Sequence, residues 1–183
     1  MRRSVDAPPS KLVNLTARRG ENPCMARVCI QTADFDLSKE VDALRAADGG
    51  VGAVVAFVGT VREHGSGAAV SAMELELEHY PGMTEAAIEA MVDAAFKRFD
   101  IRAARVIHRV GRLQACEQIV LVLVTSAHRG QAFQACEFLM DYLKTQAPFW
   151  KKEHTPDGAR WVDARVADDE ALARWGIAAG NAS

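Results

Sequence analysis

No C-x-x-C pair occurs among the four cysteines, Cys24, Cys29, Cys116 and Cys136, so their spacing gives no zinc or thioredoxin-like reading. They form no visible disulfide framework either, which fits a reducing, cytoplasmic setting. Long apolar runs are missing. Ile119–Val124 is far too short to span a bilayer, and no membrane role is expected. Residues 1–24 lack the apolar middle of a secretory signal and any hydrophobic periodicity. With Arg2, Arg3, Pro8, Pro9, Arg18 and Arg19 they read as a flexible tail, and Met25 as an alternative start. A marked excess of charge of one sign is absent as well. Lys and Arg number 22 against 24 Asp and Glu, a net charge of −2, so nucleic acid is not expected as the main partner. What remains is a chain of 183 residues, 49% hydrophobic, with the composition of one globular domain over residues 25–183.

Hydrophobic spacing predicts the elements. Ala26–Gln31, Ala53–Val61, Ala103–Val110 and Ile119–Thr125 read as strands, with a turn region around Gly111. Val70–Tyr80 alternates, with Met73, Leu75 and Leu77 on one face and Glu74, Glu76 and Glu78 on the other, as in a strand with one wet face. Leu37, Val41 and Leu44 recur at helical spacing behind Asp36 or Ser38 as cap. Thr84 reads as the cap of a helix burying Ile88, Met91 and Ala95. A long helix is predicted from about Gly130 to Thr145, burying Phe133, Cys136, Met140 and Leu143 and stopped by Pro148. Glu63–Ala69 reads as a mobile loop, Trp161–Ala164 as a short strand and Asp168–Trp175 as a final helix. Intermixed elements with a hairpin give an α+β class: a mixed, largely antiparallel sheet with flanking helices.

The chemistry-bearing residues sit at element ends. Val124–Gly130 joins a buried strand to a helix whose first N–H groups favour anions; Arg129 adds a guanidinium with phosphate geometry and His128 a donor or proton carrier. Lys144 closes the long helix and Lys151 follows Pro148, with Phe149 and Trp150 as an apolar wall between them. A lysine beside apolar surface and other cations has a depressed pKa and becomes a usable base or nucleophile. Arg62 leaves a buried strand beside a glycine-bearing loop. Each of these also has a structural explanation, a solvated helix-end lysine or a capping histidine. Glu78–Met83 reads as a strand end with a tight turn. Together, Arg62, His128, Arg129, Lys144 and Lys151 suit an anionic, phosphorylated small molecule if they converge.

The segments FVGTVREH, LEHYPGMT, VIHRVGRL, VTSAHRGQAF and MDYLKTQAPFWKKE, in that order, closely resemble the molybdopterin synthase catalytic subunit family over about Met25–Trp175. The resemblance implies an α/β hammerhead fold and a homodimer that binds two small ubiquitin-like subunits, a heterotetramer. The small subunit's C-terminal Gly-Gly thiocarboxylate would donate sulfur, twice, to cyclic pyranopterin monophosphate to form the dithiolene of molybdopterin. No metal or other cofactor is implied for this step. Lys144 resembles the principal catalytic lysine and Lys151 its partner at the thiocarboxylate. Arg62, His128 and Arg129 resemble substrate-pocket residues. Arg165, in the WVDAR segment, resembles an arginine contributed across the dimer interface. Gln114-Ala115-Cys116 departs from the Pro-Gly turn expected there, and the Arg62–His79 loop is slightly longer than usual. Two other readings stand beside this one: a hydrolase or acyltransferase using His128, for which no G-x-S-x-G elbow is present, and a non-catalytic phosphopterin- or nucleotide-binding module, which leaves the two lysines unexplained.

Overall fold

The computed structural model describes residues 26–46, 48–62, 74–155, 158–162 and 173–177. In chain order the elements among them are β1 (Val28–Gln31), α1 (Leu37–Ala46), β2 (Ala53–Thr60), β3 (Glu74–His79), α2 (Met83–Arg98), β4 (Ala103–Arg109), β5 (Gly111–Leu113), β6 (Gln118–Ser126), α3 (Arg129–Gln146), β7 (Phe149–Thr155) and β8 (Gly158–Val162). The class is α+β as expected. The strands, however, form two sheets, ordered β1-β4-β6-β2 and β5-β3-β7-β8. Only β1 and β4 pair in parallel; the other pairs are antiparallel. The residues around Gly111, expected as a turn, are a short strand of the second sheet. Gly111 has φ +85°, a backbone geometry that turns the chain from β4 into that sheet without a Cβ penalty.

Alternation on the first sheet divides the core in two. Val28, Val106, Val120, Val122 and Val124 pack beneath α2 and α3 with Ile88, Val92, Phe138 and Leu139. Cys29, Ile107, Leu121 and Leu123 face the other way, toward Leu37, Val41 and Leu44 of α1. A strand covered on both faces reads as one unbroken apolar run, which is why β6 is so hydrophobic. The second sheet packs Leu77 and Leu113 against Val61, its outer face carrying the glutamates.

Local expectations fared variously. Asp36 is the α1 cap, its Oδ1 accepting the N–H groups of Ser38 at 3.0 Å and Lys39 at 3.2 Å. Thr84 is not a cap. Gly82, with φ +82°, precedes α2, and its N–H donates to Glu85 at 2.6 Å. The Thr84 hydroxyl instead accepts from the Tyr80 N–H at 3.0 Å and donates to the Pro148 carbonyl at 3.3 Å. Phe133, expected in the core, is 62% exposed. The buried stripe of α3 centres on Ala132, Ala135, Cys136, Leu139 and Leu143, and 100° per residue carries Phe133 past its edge. The tail, residues 1–24, the loop 63–69 and most of Asp168–Trp175 lie outside the described residues. The C-terminal segment docks on α2 and α3: the Trp175 indole N–H donates to Asp141 at 2.8 Å and Arg98 donates to the Trp175 carbonyl at 2.6 Å.

Beneath α1 lies a buried ion pair. Arg105 of β4 meets Glu40 in a fork, Nε–Oε2 2.7 Å and Nη2–Oε1 3.3 Å, and also donates to the Ala26 carbonyl. Removing one partner leaves the other charge buried alone. Glu40→Ala is therefore expected to destabilise the fold by about 3–5 kcal/mol, and Arg105→Met added to it to recover most of that loss. Urea melts of the single and double variants check this.

Candidate functional site

The register of the first sheet decides which cationic residues meet. β4 and β2 both run antiparallel to β6, so His108 lies opposite Val120 and Thr60 opposite Gln118. α3 turns back over β6 and packs along it, with Cys136 Sγ 4.0 Å from the Val122 carbonyl. Its C-terminal turn, carrying Lys144, therefore returns to the end of the sheet where β2 and β4 finish. Cations are favoured at that end of a helix by the unpaired carbonyls. Ala147 is extended, the Phe149 N–H bonds back to the Ala147 carbonyl at 2.8 Å, and β7 begins. Lys151 lies opposite Leu77 of β3, and Phe149 opposite His79. Lys144 and Lys151 are both exposed.

Arg62 reaches the same end. A register shift at Gly59/Thr60 interrupts the β2–β6 ladder. Val61 is then held by the turn before β6: its N–H donates to the Glu117 carbonyl and its carbonyl accepts the Cys116 N–H, both at 2.9 Å. Arg62 leaves this clamp exposed to solvent. Arg62, Lys144 and Lys151 thus share one end of the molecule, where the two sheets join.

One residue there was not legible from sequence spacing. His108 is buried on β4, and its ring stacks on Phe149 with centroids 3.9 Å apart and planes 18° from parallel. Its Nδ1 lies 2.8 Å from the Arg109 carbonyl. A carbonyl only accepts, so Nδ1 carries the hydrogen of the neutral ring. Burial pushes the imidazole down to about 4, partly opposed by that bond, while Lys151 and His79 push the same way as burial. The available signal was a histidine inside the strand predicted from Ala103 to Val110, within VIHRVGRL.

This shift has a stability consequence. Unfolded, the histidine titrates near 6.5 and binds protons that the folded state refuses, so the fold loses stability as pH falls through 6.5 toward 4. Above 6.5 both states are neutral and the effect is absent. Between pH 7 and 4.5 His108 is expected to take away roughly 2–3 kcal/mol. His108→Phe should be less acid-sensitive by that amount, read from urea midpoints at the two pH values.

His128 and Arg129 are elsewhere. They begin α3, and Lys144 follows fifteen residues on in the same 18-residue helix, about 22 Å away at 1.5 Å per residue. Both are exposed, and the His128 N–H donates to Ser126 Oγ at 3.1 Å. That hydroxyl is buried and donates to the Asp100 carbonyl at 2.7 Å, which leaves it no role as a nucleophile for His128. One chain therefore does not bring the five cations into a single pocket. Arg165 lies outside the described residues. Among the described residues no group of three His, Cys, Asp or Glu could hold a metal, and no helix is long and apolar enough to cross a membrane.

The MoaE protein family model matches residues 30–146. The molybdopterin synthase catalytic subunit of Ralstonia nicotianae is 62% identical over 159 residues, 87% of this chain and 89% of that one. The chain belongs to the MoaE family of molybdopterin synthase catalytic subunits. The MoaE protein of Burkholderia ambifaria superposes with a TM-score of 0.72 at 56% identity, covering 84% of this chain and 99% of that one. A protein–protein complex of subunits 1 and 2 of molybdopterin-converting factor from Helicobacter pylori has a TM-score of 0.64 at 20% identity, covering 76% and 92%. At that identity the likeness is one of fold. Membership in the MoaE family makes the chain an enzyme subunit of molybdenum cofactor biosynthesis, with sulfur transfer as its chemistry.

Proposed function

We propose that this chain converts cyclic pyranopterin monophosphate to molybdopterin, taking one sulfur atom from each of two successive small ubiquitin-like subunits, whose C-terminal thiocarboxylates become carboxylates as water takes the place of sulfur. The observation that carries the reading is the grouping of Lys144, Lys151 and Arg62 at one end of the sheet, at the close of α3 and over a buried, uncharged histidine. A thiocarboxylate is an anion spread over sulfur and oxygen. Lys144 and Lys151 neutralise the sulfur and polarise the carbonyl, so charge moving onto that oxygen during transfer meets fixed cations. Arg62 holds phosphate. Lys144, the residue at the reacting end, moves the protons of the pterin side chain.

Arg129 and His128 enter this reading through a second protomer. Since α3 separates them from Lys144 in one chain, a homodimer that sets the α3 N-terminus of one protomer against the lysine end of the other completes a phosphate site. Arg165 is assigned to the same shared region. The Helicobacter pylori neighbour, a complex of two subunits, supports the partner subunit, and the assembly is assigned to the cytoplasm. The test is reconstitution: the protein, a thiocarboxylated small subunit and the precursor, with the pterin product weighed by mass spectrometry. Gain of two sulfurs per pterin is expected. No sulfur on the pterin, with the small subunit demonstrably bound, sinks the reading.

A further inference from the structure

β4 carries Arg105, His108 and Arg109 inside the protein. The two arginines are accounted for by the fold: Arg105 by Glu40, and Arg109 by the carbonyls of Thr32 at 3.3 Å and Gln118 at 2.9 Å. His108 is not; an apolar residue would fill the same place in the sheet. We propose that His108 is a positioning residue for sulfur transfer, a flat ring that fixes Phe149 and, through it, the placement of Lys151. This rests on the reading of Lys151 given above.

The ring is constrained twice. Its Nδ1–H donates to the Arg109 carbonyl at 2.8 Å, which sets its plane, and its face lies on Phe149 at 3.9 Å. The stack is nearly parallel, unlike the edge-on pairs Phe99–Phe138 and Phe138–Tyr142. Phe149 and Lys151 are two residues apart on β7 and so share a face of the sheet, opposite His79 and Leu77. Pro148, just before them, is tied to the buried Thr84 hydroxyl at 3.3 Å. The first residues of β7 are therefore held from α2 on one side and from β4 on the other, and Lys151 rides on the held segment. A charged ring in this place would repel the Lys151 ammonium and lose its solvation, so the platform works only while neutral.

The experiment uses the assembled enzyme with thiocarboxylated small subunit and precursor, in single turnover. His108→Ala is expected to lower the rate at saturating precursor on the order of 10²-fold, since small misplacement of a reacting group has that effect, with half-saturation unchanged. Phe149→Leu, which keeps an apolar side chain but no ring, should reproduce the loss. His108→Phe restores the stack and should return to within roughly tenfold of wild type. Above about pH 6, where the His108 ring is neutral in the folded protein, its pH–rate profile should superpose on the wild-type one. In parallel, acylation of Lys151 by an amine reagent, followed by peptide mass spectrometry, needs no turnover; its rate should change in His108→Ala and Phe149→Leu and not in His108→Phe. Unchanged Lys151 labelling in Phe149→Leu overturns the positioning role, and so does an ionisation above about pH 6 that is present in wild type and missing from the His108→Phe profile, which would make His108 a proton carrier. Should His108→Ala not fold, the other two variants decide alone. Normal turnover by Lys151→Ala, with labelling that shifts as expected, overturns the reading of Lys151 and leaves the placement intact.

Discussion

Lys144→Ala is expected to lower sulfur transfer on the order of 10²–10³-fold or more while the protein still folds and binds its small partner. The two effects separate because they come from different interactions. Lys144 is exposed in the last turn of α3, where an ammonium stabilises the helix by only about 0.3–1 kcal/mol through the terminal carbonyls. At the acyl carbon of the small subunit's tail the same charge meets an oxygen that becomes an oxyanion as water adds, before the carbon–sulfur bond breaks, and a fixed donor there is worth about 3–4 kcal/mol. Lys144→Arg discriminates between two roles. Arginine keeps the charge but does not release a proton near neutral pH. Little rescue is expected, because Lys144 is assigned the proton transfers as well. A single-turnover assay beside a melting curve and a partner titration reads all three quantities. Near-normal turnover by Lys144→Ala removes it from the catalytic machinery, and strong rescue by Lys144→Arg reduces its role to electrostatics.

Much of the frame behind that expectation could be read from residue order. Alternation in Glu74–His79 separated a charged face from the face bearing Leu75 and Leu77, and the structure keeps that division. Pro148 ended the long helix close to where it ends. The second sheet was hidden because β5 has three residues, too few for a periodic signal, and its strands are brought together by long-range pairing of β3 with β7. Phe133 failed for a related reason: size suggested the core, but position on the helix cylinder decides burial, and the small residues Ala132, Ala135 and Cys136 take the sheet-facing stripe. In the site, the helix end and the proline break placed Lys144 and Lys151 in the chain but left a solvated helix-end lysine as the simpler reading, and it was the family resemblance that singled them out. His108 was not legible, because its place within a predicted strand hints at burial but not at its partner: the stack on Phe149 joins residues far apart in the chain. The separation of Arg129 from Lys144 was legible in principle, since a helix of known length fixes it, yet grouping residues by charge alone concealed it.

That separation makes the most exacting prediction. Take Arg129→Ala and Lys144→Ala, each expected to be close to inactive, the first through loss of precursor affinity by about 1.5–3 kcal/mol. If each pocket joins the lysine end of one protomer to the α3 N-terminus of the other, unfolding and refolding the two variants together creates mixed dimers. In each mixed dimer one pocket has both defects and the other has none. Random assortment puts half of the subunits into mixed dimers, so activity at low precursor should recover to roughly a quarter of wild type, the arithmetic of a two-fold symmetric dimer. A pocket built within one chain gives no such recovery, since every pocket then carries one defect. The geometry of α3 argues for recovery, because about 22 Å of helix separates the two groups in a single chain. The measurement is sulfur transfer by the co-refolded mixture against the two variants refolded separately and then combined, with native mass spectrometry counting the mixed dimers. Activity that stays at the level of the separate variants, with mixed dimers present in the expected proportion, excludes the shared pocket and returns Arg129 and His128 to an ordinary helix start.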